Sequence, residues 1–314
     1  MTDKLPLTML AQLDDVTVFQ TAALQTADFE DTDFKNPGLE GADFKSTESE
    51  TYNQKSQKML QTEQASYGEL NLGLHVADNP AQVLDNRMRL LAAINQQLAT
   101  QQRASIKRLH WVNQVHGKQI HDVDVSPLSM RPVDADALVS QQAELGLAIM
   151  TADCVPIVLY QPASGQIAAI HAGWQGLACG IIKTTAERFE SAGQIIAWIG
   201  VSISQAHYEL GSQVRDKLLA GCIESNSLST EHLDNFAALF SIPANSIDGS
   251  DKIKLDLPKL AAYQLETLGI CVSNDSDIDC SYADPRYYSY RRQTHLQQPA
   301  TGRMALIVVR SLAI

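Results

Sequence analysis

The fold of this 314-residue chain is constrained most by three short apolar runs, at residues 147–150, 156–160 and 167–170. Each is a continuous apolar segment of strand length bounded by polar or turn-forming residues, a pattern typical of buried strands. The sequence Gln-Pro-Ala-Ser-Gly between the second and third runs predicts a turn. Cys154 and His171 both follow apolar strands within one predicted hairpin, so their side chains are expected to meet at the mouth of a sheet, where ligands bind.

The rest of the chain alternates between strand-like and helix-like segments. Asn79 is a good N-cap and Pro80 a good first helical residue, and they open a helix whose apolar residues recur at helical spacing: Val83, Leu84, Met88, Leu91, Ile94 and Leu98. Further helices are predicted at residues 177–189, 209–223, 230–240 and 256–268. Further strands or extended segments are predicted at residues 16–19, 108–115, 119–125, 134–139, 195–199, 286–291 and 304–309. This alternation, with several strands in adjacent hairpins, indicates a mixed-sheet α+β or α/β fold.

The N-terminal region contains an unusual repeat. Residues 27–46 have a five-residue period with a central Phe or Leu, and they resemble the pentapeptide repeat. Four copies make only about one coil, too little to bury a core alone, so we expect a surface insertion. Residues 47–66 are rich in Ser, Thr, Gln, Glu and Lys and predict a flexible linker. We therefore divide the chain into an N-terminal strand region of the main domain (1–26), a pentapeptide-like insertion with its linker (27–66), and the rest of the main domain (67–314).

Charge and cysteine content exclude several classes of function. A formal net charge of -12 argues against nucleic acid or an anionic membrane surface as the main partner. The chain shows no apolar run of membrane-spanning length and no signal-peptide pattern, so we expect a cytoplasmic protein. The five cysteines form no CxxC pair, which indicates free thiols rather than a disulfide framework. The sequence leaves the oligomeric state open.

Cys154, His171 and His116 are the candidate centre. Two imidazoles and one thiolate leave a fourth position open on zinc, the arrangement of a catalytic site. Asp153 could then move protons or orient a ligand. Because the spacing of the three residues is irregular, two alternatives stay open. Each histidine could be structural, or Cys154 could be a metal-free nucleophile with His171 or His116 as its base.

Three arginines near the C-terminus, Arg291, Arg292 and Arg303, form a candidate anion site. Guanidinium groups bind phosphate or carboxylate in forked geometry. The alternative from composition is a solvated strand edge.

Six motifs occur in the order seen in the YfiH-like family, the laccase-domain group also named polyphenol oxidases and described as purine nucleoside phosphorylases: Asn71-Leu72-Gly73, Gln114-Val115-His116-Gly117, Thr151-Ala152-Asp153-Cys154-Val155-Pro156, His171-Ala172-Gly173-Trp174, Ser289-Tyr290-Arg291-Arg292 and Thr301-Gly302-Arg303. The resemblance covers roughly residues 67–314. It implies a mixed β-sandwich flanked by helices, similar to the catalytic domain of cytotoxic necrotising factor.

The resemblance also implies an activity and a set of residues. Zinc would be held by the residues matching His116, Cys154 and His171, with Cys154, Asp153 and His171 as catalytic residues. The residues expected to bind substrate or phosphate are Asn71, Gln114, Arg291, Arg292 and Arg303. The implied reactions are phosphorolysis of adenosine, inosine and methylthioadenosine, together with adenosine deamination, in which Asp153 would handle protons by analogy with the zinc deaminases.

The chain departs from the family pattern at several positions. Gln175 stands where the family has Arg, and an early Ser-Thr-Arg motif is missing near residue 20. Two further hypotheses follow: a Cys-His amidohydrolase that acts in peptidoglycan editing, and an interaction protein with a degraded site. A multicopper oxidase is disfavoured because its cluster uses many imidazoles in His-X-His pairs, and none of the eight histidines forms such a pair. Imidazole and thiolate nevertheless suit both Zn2+ and Cu2+ as a single ion.

Overall fold

The structure, a computed structural model, describes residues 5–23, 67–126, 132–189, 193–244, 251–273 and 278–314. The predicted insertion and linker at residues 27–66 lie outside the described residues. On either side of this segment, the Glu69 amide donates a hydrogen bond to the Ala23 carbonyl at 2.8 Å. The two flanks therefore lie side by side, as the flanks of a surface insertion do, and the domain boundaries stay a prediction.

Within the described residues the strands are β1 Leu7–Leu13, β2 Val16–Thr21, β3 Leu109–His110, β4 Ile120–Asp122, β5 Ala137–Ser140, β6 Leu145–Thr151, β7 Val155–Gln161, β8 Gln166–Ala172, β9 Ile196–Ile199, β10 Glu209–Gly211, β11 Ser241–Pro243, β12 Lys252–Leu255, β13 Cys271–Val272 and β14 Met304–Arg310. The helices are α1 Pro80–Thr100, α2 Trp174–Ala178, α3 Ile181–Ala186, α4 Ser212–Ser225, α5 Thr230–Asp234, α6 Phe236–Phe240, α7 Leu257–Thr267 and α8 Tyr290–His295.

Two sheets form the centre of the fold. The five-stranded sheet has the order β1-β2-β14-β6-β3 and is antiparallel except for the parallel pair β3 and β6. The six-stranded sheet has the order β13-β9-β7-β8-β5-β4, with antiparallel pairs at its centre and a parallel pair at each edge. A three-stranded antiparallel sheet has the order β10-β12-β11.

The two large sheets pack face to face and carry helices on their outer faces. On β14, Leu306 packs in the core between the sheets, whereas Ile307 packs in the core beneath α1. On β8, Ala169 packs between the sheets and Ile170 packs beneath the helices α2, α3, α4 and α7. Because successive side chains of a strand point to opposite faces, strands that are apolar throughout require cover on both sides. The predicted α+β sandwich flanked by helices is confirmed.

The chain crosses between the two sheets at the candidate site. His171 lies near the end of β8 opposite Pro156 on β7, so the predicted hairpin is present. The strand before Cys154, β6, was expected in the same hairpin but pairs with β14 and β3 in the other sheet. Residues 152–154 therefore carry the chain from one sheet to the other, and Cys154 lies at this crossing.

Helix α1 begins as predicted and buries part of its predicted apolar face, since Val83, Ile94 and Leu98 are fully buried. The Asn79 side chain accepts a hydrogen bond from the Ala81 amide, and Pro80 is the first helical residue. Leu84 and Met88, both predicted to pack inward, are 51% and 64% exposed, and the core uses Leu90 instead. The buried face also contains a polar residue, Asn86, whose side chain donates to the Asn71 carbonyl.

The segment at residues 286–291 was predicted as a strand, and this is wrong. Its tyrosines Tyr287 and Tyr288 are buried in a turn, and α8 begins at Tyr290. The Ser289 hydroxyl accepts a hydrogen bond from the Arg292 amide at 3.0 Å and caps this helix. A local cap of this kind outweighs the strand preference of the aromatic residues. The strand predicted at residues 304–309 is present as β14.

Several other predicted elements are interrupted or shortened. The helix predicted at residues 177–189 is divided into α2 and α3 because Gly180 adopts a left-handed φ of 77°. The helix predicted at residues 230–240 is divided at Asn235 into α5 and α6, and the one at residues 209–223 starts as β10. The extended segments predicted at residues 108–115 and 119–125 contain only the short strands β3 and β4.

Helix α7 confirms the prediction for residues 256–268. The Asp256 side chain accepts from the Lys259 amide and caps it, and Gly269 follows with a left-handed φ of 70°. None of the helices in the described ranges is both long enough and apolar enough to cross a membrane.

Candidate metal centre

The structure brings His116, Cys154 and His171 together. One side-chain ligand atom of each residue lies within 4.8 Å of the others. The two imidazole rings meet edge to face, with centroids 4.7 Å apart and an interplanar angle of 81°. Across the described ranges this is the one group of three or more His, Cys, Asp or Glu side chains close enough to share a metal ion.

A buried carboxylate, Asp136, holds both histidines. Its Oδ1 lies 2.9 Å from the His171 Nδ1 and accepts from the His116 amide at 2.9 Å, while its Oδ2 accepts from the Gly117 amide at 2.6 Å. A proton on the His171 Nδ1 satisfies this contact and leaves Nε2 unprotonated for a metal. Although burial by itself raises the pKa of Asp136, these hydrogen bonds lower it overall.

Asp136 was not singled out from the sequence. It lies in an Asp-Ala-Asp segment within the strand predicted at residues 134–139 and immediately precedes the observed strand β5. Only its complete burial distinguishes it from the exposed Asp134. A buried acidic residue requires a partner. That requirement is the signal that would have identified Asp136, but burial of one aspartate rather than the other is a tertiary property.

Two residues of the centre have unusual backbone conformations. His116 has a φ of 60° and Asp153 a φ of 109°, both positive and rare for residues other than glycine. The two amides donated to Asp136 stabilise the turn at His116. The Ile203 amide donates to the Asp153 carbonyl at 2.9 Å and stabilises the second turn. Such strain concentrates at functional sites.

Gly173 provides the space beside the thiol. A Cβ atom at this position would lie 3.0 Å from the Cys154 Sγ and 3.4 Å from the His116 Cδ2. A larger residue would therefore crowd the Cys154 Sγ, whereas the His116 ring would stay at about contact distance.

The centre favours a thiolate. Burial alone would raise the pKa of the Cys154 thiol, but the charge of His171 and hydrogen bonds from His116 and His171 lower it overall. Burial alone would lower the pKa of His171, but Cys154 and Asp136 raise it. A thiolate is the form that binds a metal or attacks as a nucleophile.

Asp153 is buried directly beside Cys154, but its carboxylate faces the C-terminal segment. Its Oδ1 accepts from the Ser281 hydroxyl and its Oδ2 from the Arg291 amide, both at 2.7 Å. Burial raises the pKa of Asp153, and hydrogen bonds from Ser289, Arg291 and Ser281 oppose this shift.

The three arginines occupy different environments. Arg303 directly precedes Met304, which pairs with Thr151 at the end of β6, so Arg303 lies near the crossing that carries Cys154. Burial lowers the pKa of Arg303, and negative charge at Cys154 and Asp153 opposes that shift. The Arg291 guanidinium lies 5.1 Å from the centroid of the Tyr208 ring and donates to the Glu209 carbonyl. The Arg292 guanidinium donates to four backbone carbonyls, those of Ser281, Tyr282, Asp284 and Tyr287.

Asn71 and Gln114 make hydrogen bonds to the protein itself. The Asn71 Oδ1 accepts from the amides of Gly73 and Arg303, and its Nδ2 donates to Asp78. Both ends of the Gln114 amide bond to the backbone of Met150. Both side chains thus connect neighbouring segments of the site.

Two further neighbours were missed from the sequence, where each is an isolated residue in a loop. The His75 side chain reaches the surface, but the part of it that is buried and the positive charges of Arg303 and Arg87 lower its pKa. The charges of His116 and His171 act in the same direction but more weakly. Gly73, two residues before His75, approaches the Arg303 side chain. The Tyr208 ring packs against the guanidinium of Arg291, whose amide is bonded to Asp153, and burial raises the pKa of Tyr208. Gln175, where the resemblance expects Arg, is exposed on α2.

The donor set fits a single transition metal. One thiolate and two imidazoles suit zinc or copper, and the hydrogen bond from His171 to a carboxylate is the outer contact that metal-bound histidines usually make. The same donors do not build a multinuclear copper cluster, which needs many more imidazoles. The site is therefore a candidate for one metal ion with an open position.

Comparison with known proteins identifies the family. Residues 55–311 match the family model described as multi-copper polyphenol oxidoreductase laccase. Among curated relatives, Purine nucleoside phosphorylase YfiH of Escherichia coli (strain K12) is 32% identical over 244 residues, which cover 77% of this chain and 86% of the relative. Purine nucleoside phosphorylase PA4543 of Pseudomonas aeruginosa is 32% identical over 247 residues, covering 78% and 87%. The chain belongs to the YfiH-like laccase-domain family.

Solved structures agree with this assignment. The crystal structure of Neisseria meningitidis protein NMB0706, of the DUF152 family, aligns over 97% of this chain and 99% of that chain, with a TM-score of 0.67 and 26% identity. The Bacillus licheniformis protein YfiH aligns over 99% and 98%, with a TM-score of 0.62 and 21% identity, and supports the fold alone. The family resemblance inferred from the six motifs is confirmed.

Proposed function

We propose that this family member is a zinc-dependent purine nucleoside phosphorylase acting on adenosine, inosine and methylthioadenosine, with adenosine deaminase activity. One observation carries the proposal: two histidines that share the buried carboxylate Asp136 converge with a cysteine on one point. The relatives from Escherichia coli and Pseudomonas aeruginosa, both named purine nucleoside phosphorylases, support the substrate class.

His116, Cys154 and His171 would hold the metal. Bound zinc would supply a Lewis acid that stabilises negative charge developing on the substrate. Asp136 maintains the ligand geometry, because it fixes the His171 ring and the backbone turn that presents His116. These contacts hold the ligands in place before metal binds, as an efficient site requires.

Arg303 is the best candidate to receive phosphate. Its Nη1 donates to the Gly302 carbonyl at 3.0 Å, and its amide is bonded to Asn71. No contact is recorded for its Nε or Nη2 within the described part of the chain, so these two donors can bind phosphate oxygens in forked geometry. We assign Asn71 to positioning Arg303, and His75 to the same anion site as a neutral hydrogen-bonding partner.

The other predicted substrate residues receive supporting roles in this proposal. Arg291 lies across Tyr208, and the pair forms one wall of the site. Arg292 braces the loop that carries Ser281, and Gln114 ties the His116 loop to β6. Asp153, a buried carboxylate with a raised pKa beside Cys154, remains the candidate for proton handling.

Metal analysis of the purified protein, coupled to an adenosine assay with and without phosphate, tests the proposal. One zinc per chain, with adenine released only when phosphate is present, is the expected result. Inosine as the only product would support deamination and refute phosphorolysis. Bound zinc without any turnover would refute both activities. A protein that cannot be loaded with metal would refute the centre itself.

The variant Cys154→Ala tests the same proposal by substitution of a candidate metal ligand. It removes one of three ligands, so we expect bound zinc and turnover to be lost together. The control is Cys271→Ala, which removes an exposed thiol on β13 and should leave zinc content and activity unchanged. If Cys154→Ala retains both bound zinc and turnover, the proposal is wrong.

The thiolate character of Cys154 also favours a second candidate, a Cys-His amidohydrolase. In that case activity on an amide substrate would survive complete removal of the metal and disappear on alkylation of Cys154. Loss of activity on chelation, with recovery when zinc is added back, would instead support the zinc enzyme.

A further inference from the structure

A second cysteine and histidine meet outside the metal centre. The Cys280 Sγ lies 3.5 Å from the Nδ1 of His207 and accepts hydrogen bonds from the Ser204 amide at 3.3 Å and the Ser204 hydroxyl at 3.1 Å. The Ser204 hydroxyl also lies 3.2 Å from the His207 Nδ1. Three polar groups from a single turn therefore surround one sulfur atom.

The imidazole of this cluster is held in place and suited to accept a proton. The Tyr282 ring stacks on His207 with centroids 4.8 Å apart and an interplanar angle of 21°. The Tyr282 hydroxyl is in turn 3.2 Å from the Nδ1 of His295. Burial, followed by the charge of Lys254, lowers the pKa of His207, so the ring is neutral at pH 7.

The other four cysteines have different surroundings. Cys154 also meets histidines, but as part of the metal centre. Cys222 is buried beside Gln264, and the Cys179 Sγ donates to the Gly176 carbonyl at 3.4 Å. Cys271 is exposed, and the one hydrogen bond recorded for its sulfur in the described ranges is to the adjacent Val272 carbonyl at 3.9 Å. Cys280 is half-buried, so access by small molecules alone would make Cys271 the more reactive thiol.

We propose that Cys280 is a reactive thiol that hydroperoxides oxidise, with His207 as its base and Ser204 stabilising the sulfur. The Cys280 proton passes to the His207 Nδ1 as the sulfur attacks one peroxide oxygen. The S–O bond forms and the O–O bond breaks, and the departing oxygen takes the proton from His207. Cys280 is oxidised to a sulfenic acid and the hydroperoxide is reduced to water or an alcohol.

The cluster is continuous with the loop of the metal centre. Ser202 pairs with Cys280 in an isolated β-bridge, and the next residue, Ser281, donates its hydroxyl to Asp153. The segment that carries the reactive thiol therefore also holds the residue beside Cys154. The reactivity itself does not rest on the function proposed for that centre.

Site-resolved trapping tests the proposal. The full-length, metal-loaded protein is treated with one equivalent of hydrogen peroxide in the presence of a cyclic 1,3-diketone, and peptide mass spectrometry follows the label at each cysteine. We expect Cys280 to be labelled about tenfold faster than Cys271, because general-base assistance outweighs access. His207→Gln should lower the Cys280 rate about tenfold and leave the Cys271 rate unchanged.

Two results would overturn the proposal: labelling of Cys280 no faster than that of Cys271, or a Cys280 rate that His207→Gln does not change. The buried Cys222 reports on folding in the same experiment, because it becomes labelled only if the chain unfolds. If Cys222 becomes labelled in the His207→Gln variant, the variant Ser204→Ala is used in its place. It must lower the labelling rate of Cys280 and leave that of Cys271 unchanged.

Discussion

Asp136→Asn is the variant that tests the metal centre most sharply. The carboxylate is fully buried and accepts three hydrogen bonds, from the His116 amide, the Gly117 amide and the His171 Nδ1. Asparagine has nearly the same shape but only one accepting oxygen. In its best orientation the oxygen replaces Oδ1, and the amide NH2 then faces the Gly117 N–H.

The cost follows from this geometry. One buried donor, the Gly117 amide, is left without a partner, which costs about 1–3 kcal/mol. The bond to His171 changes from charge-assisted to neutral, which costs about 1 kcal/mol more. We therefore expect the metal-free variant to be less stable by roughly 2–4 kcal/mol. Loss of such an outer partner typically weakens metal binding about 10–100-fold, or ~1.4–2.8 kcal/mol.

Competition titration against a chromophoric chelator measures the zinc dissociation constant, and denaturant unfolding of the metal-free protein measures stability. The control is Asp134→Asn, two residues away, where an exposed carboxylate accepts one hydrogen bond from the Asn113 side chain. It should change neither quantity by more than about 0.5 kcal/mol. If Asp136→Asn binds zinc as tightly as the native chain, the argument that this carboxylate orients the histidines is wrong.

Three further predictions follow from the structure. Arg303→Gln should raise the KM for phosphate about 10–100-fold in steady-state assays and leave the zinc content unchanged, because it removes a charged donor and no metal ligand. Gly173→Ala should lower the zinc content measured by elemental analysis, since its Cβ would lie 3.0 Å from the Cys154 Sγ. The control is Gly269→Ala, where Gly269 has a left-handed φ of 70° and open space around it. This control should lower the stability by about 1–2 kcal/mol and leave the zinc content unchanged. In denaturant unfolding, Leu90→Ala should cost about 2–5 kcal/mol and Met88→Ala about 0.5 kcal/mol or less, because only Leu90 is buried.

The sequence was most informative where the pattern is local. The apolar runs at the centre of both sheets, the start of α1 at Asn79 and the cap of α7 at Asp256 were all predicted, because each depends on neighbouring residues. The strand expected at residues 286–291 was wrong because the Ser289 cap competes with aromatic strand propensity. The buried face of α1 was predicted in part: Val83, Ile94 and Leu98 are buried, whereas Leu84 and Met88 are exposed. A hydrogen bond from Asn86 to the Asn71 carbonyl helps to orient that helix.

The residues of the candidate site were likewise predicted only where the pattern is local. The six motifs identified the family and the three possible metal ligands, because those residues lie in short recognisable segments. Asp136 and His75 were not identified, since each is an isolated residue that gains its place only when distant segments pack together. The sequence does not distinguish the roles of the three arginines Arg291, Arg292 and Arg303. In the structure, the Arg292 guanidinium donates to backbone carbonyls, whereas Arg303 lies beside the centre.

The sequence by itself determined the central strands, the family and the thiol with two imidazoles, because continuous apolar runs and contiguous motifs are properties of neighbouring residues. The layered α+β sandwich was expected from the family resemblance. Only the tertiary structure decided how those groups act. It carried the chain between the sheets at residues 152–154, buried Asp136 against both histidines and placed Cys280 against His207. These are contacts between residues 20 to 73 positions apart, and packing of the two sheets and their loops brings such residues together.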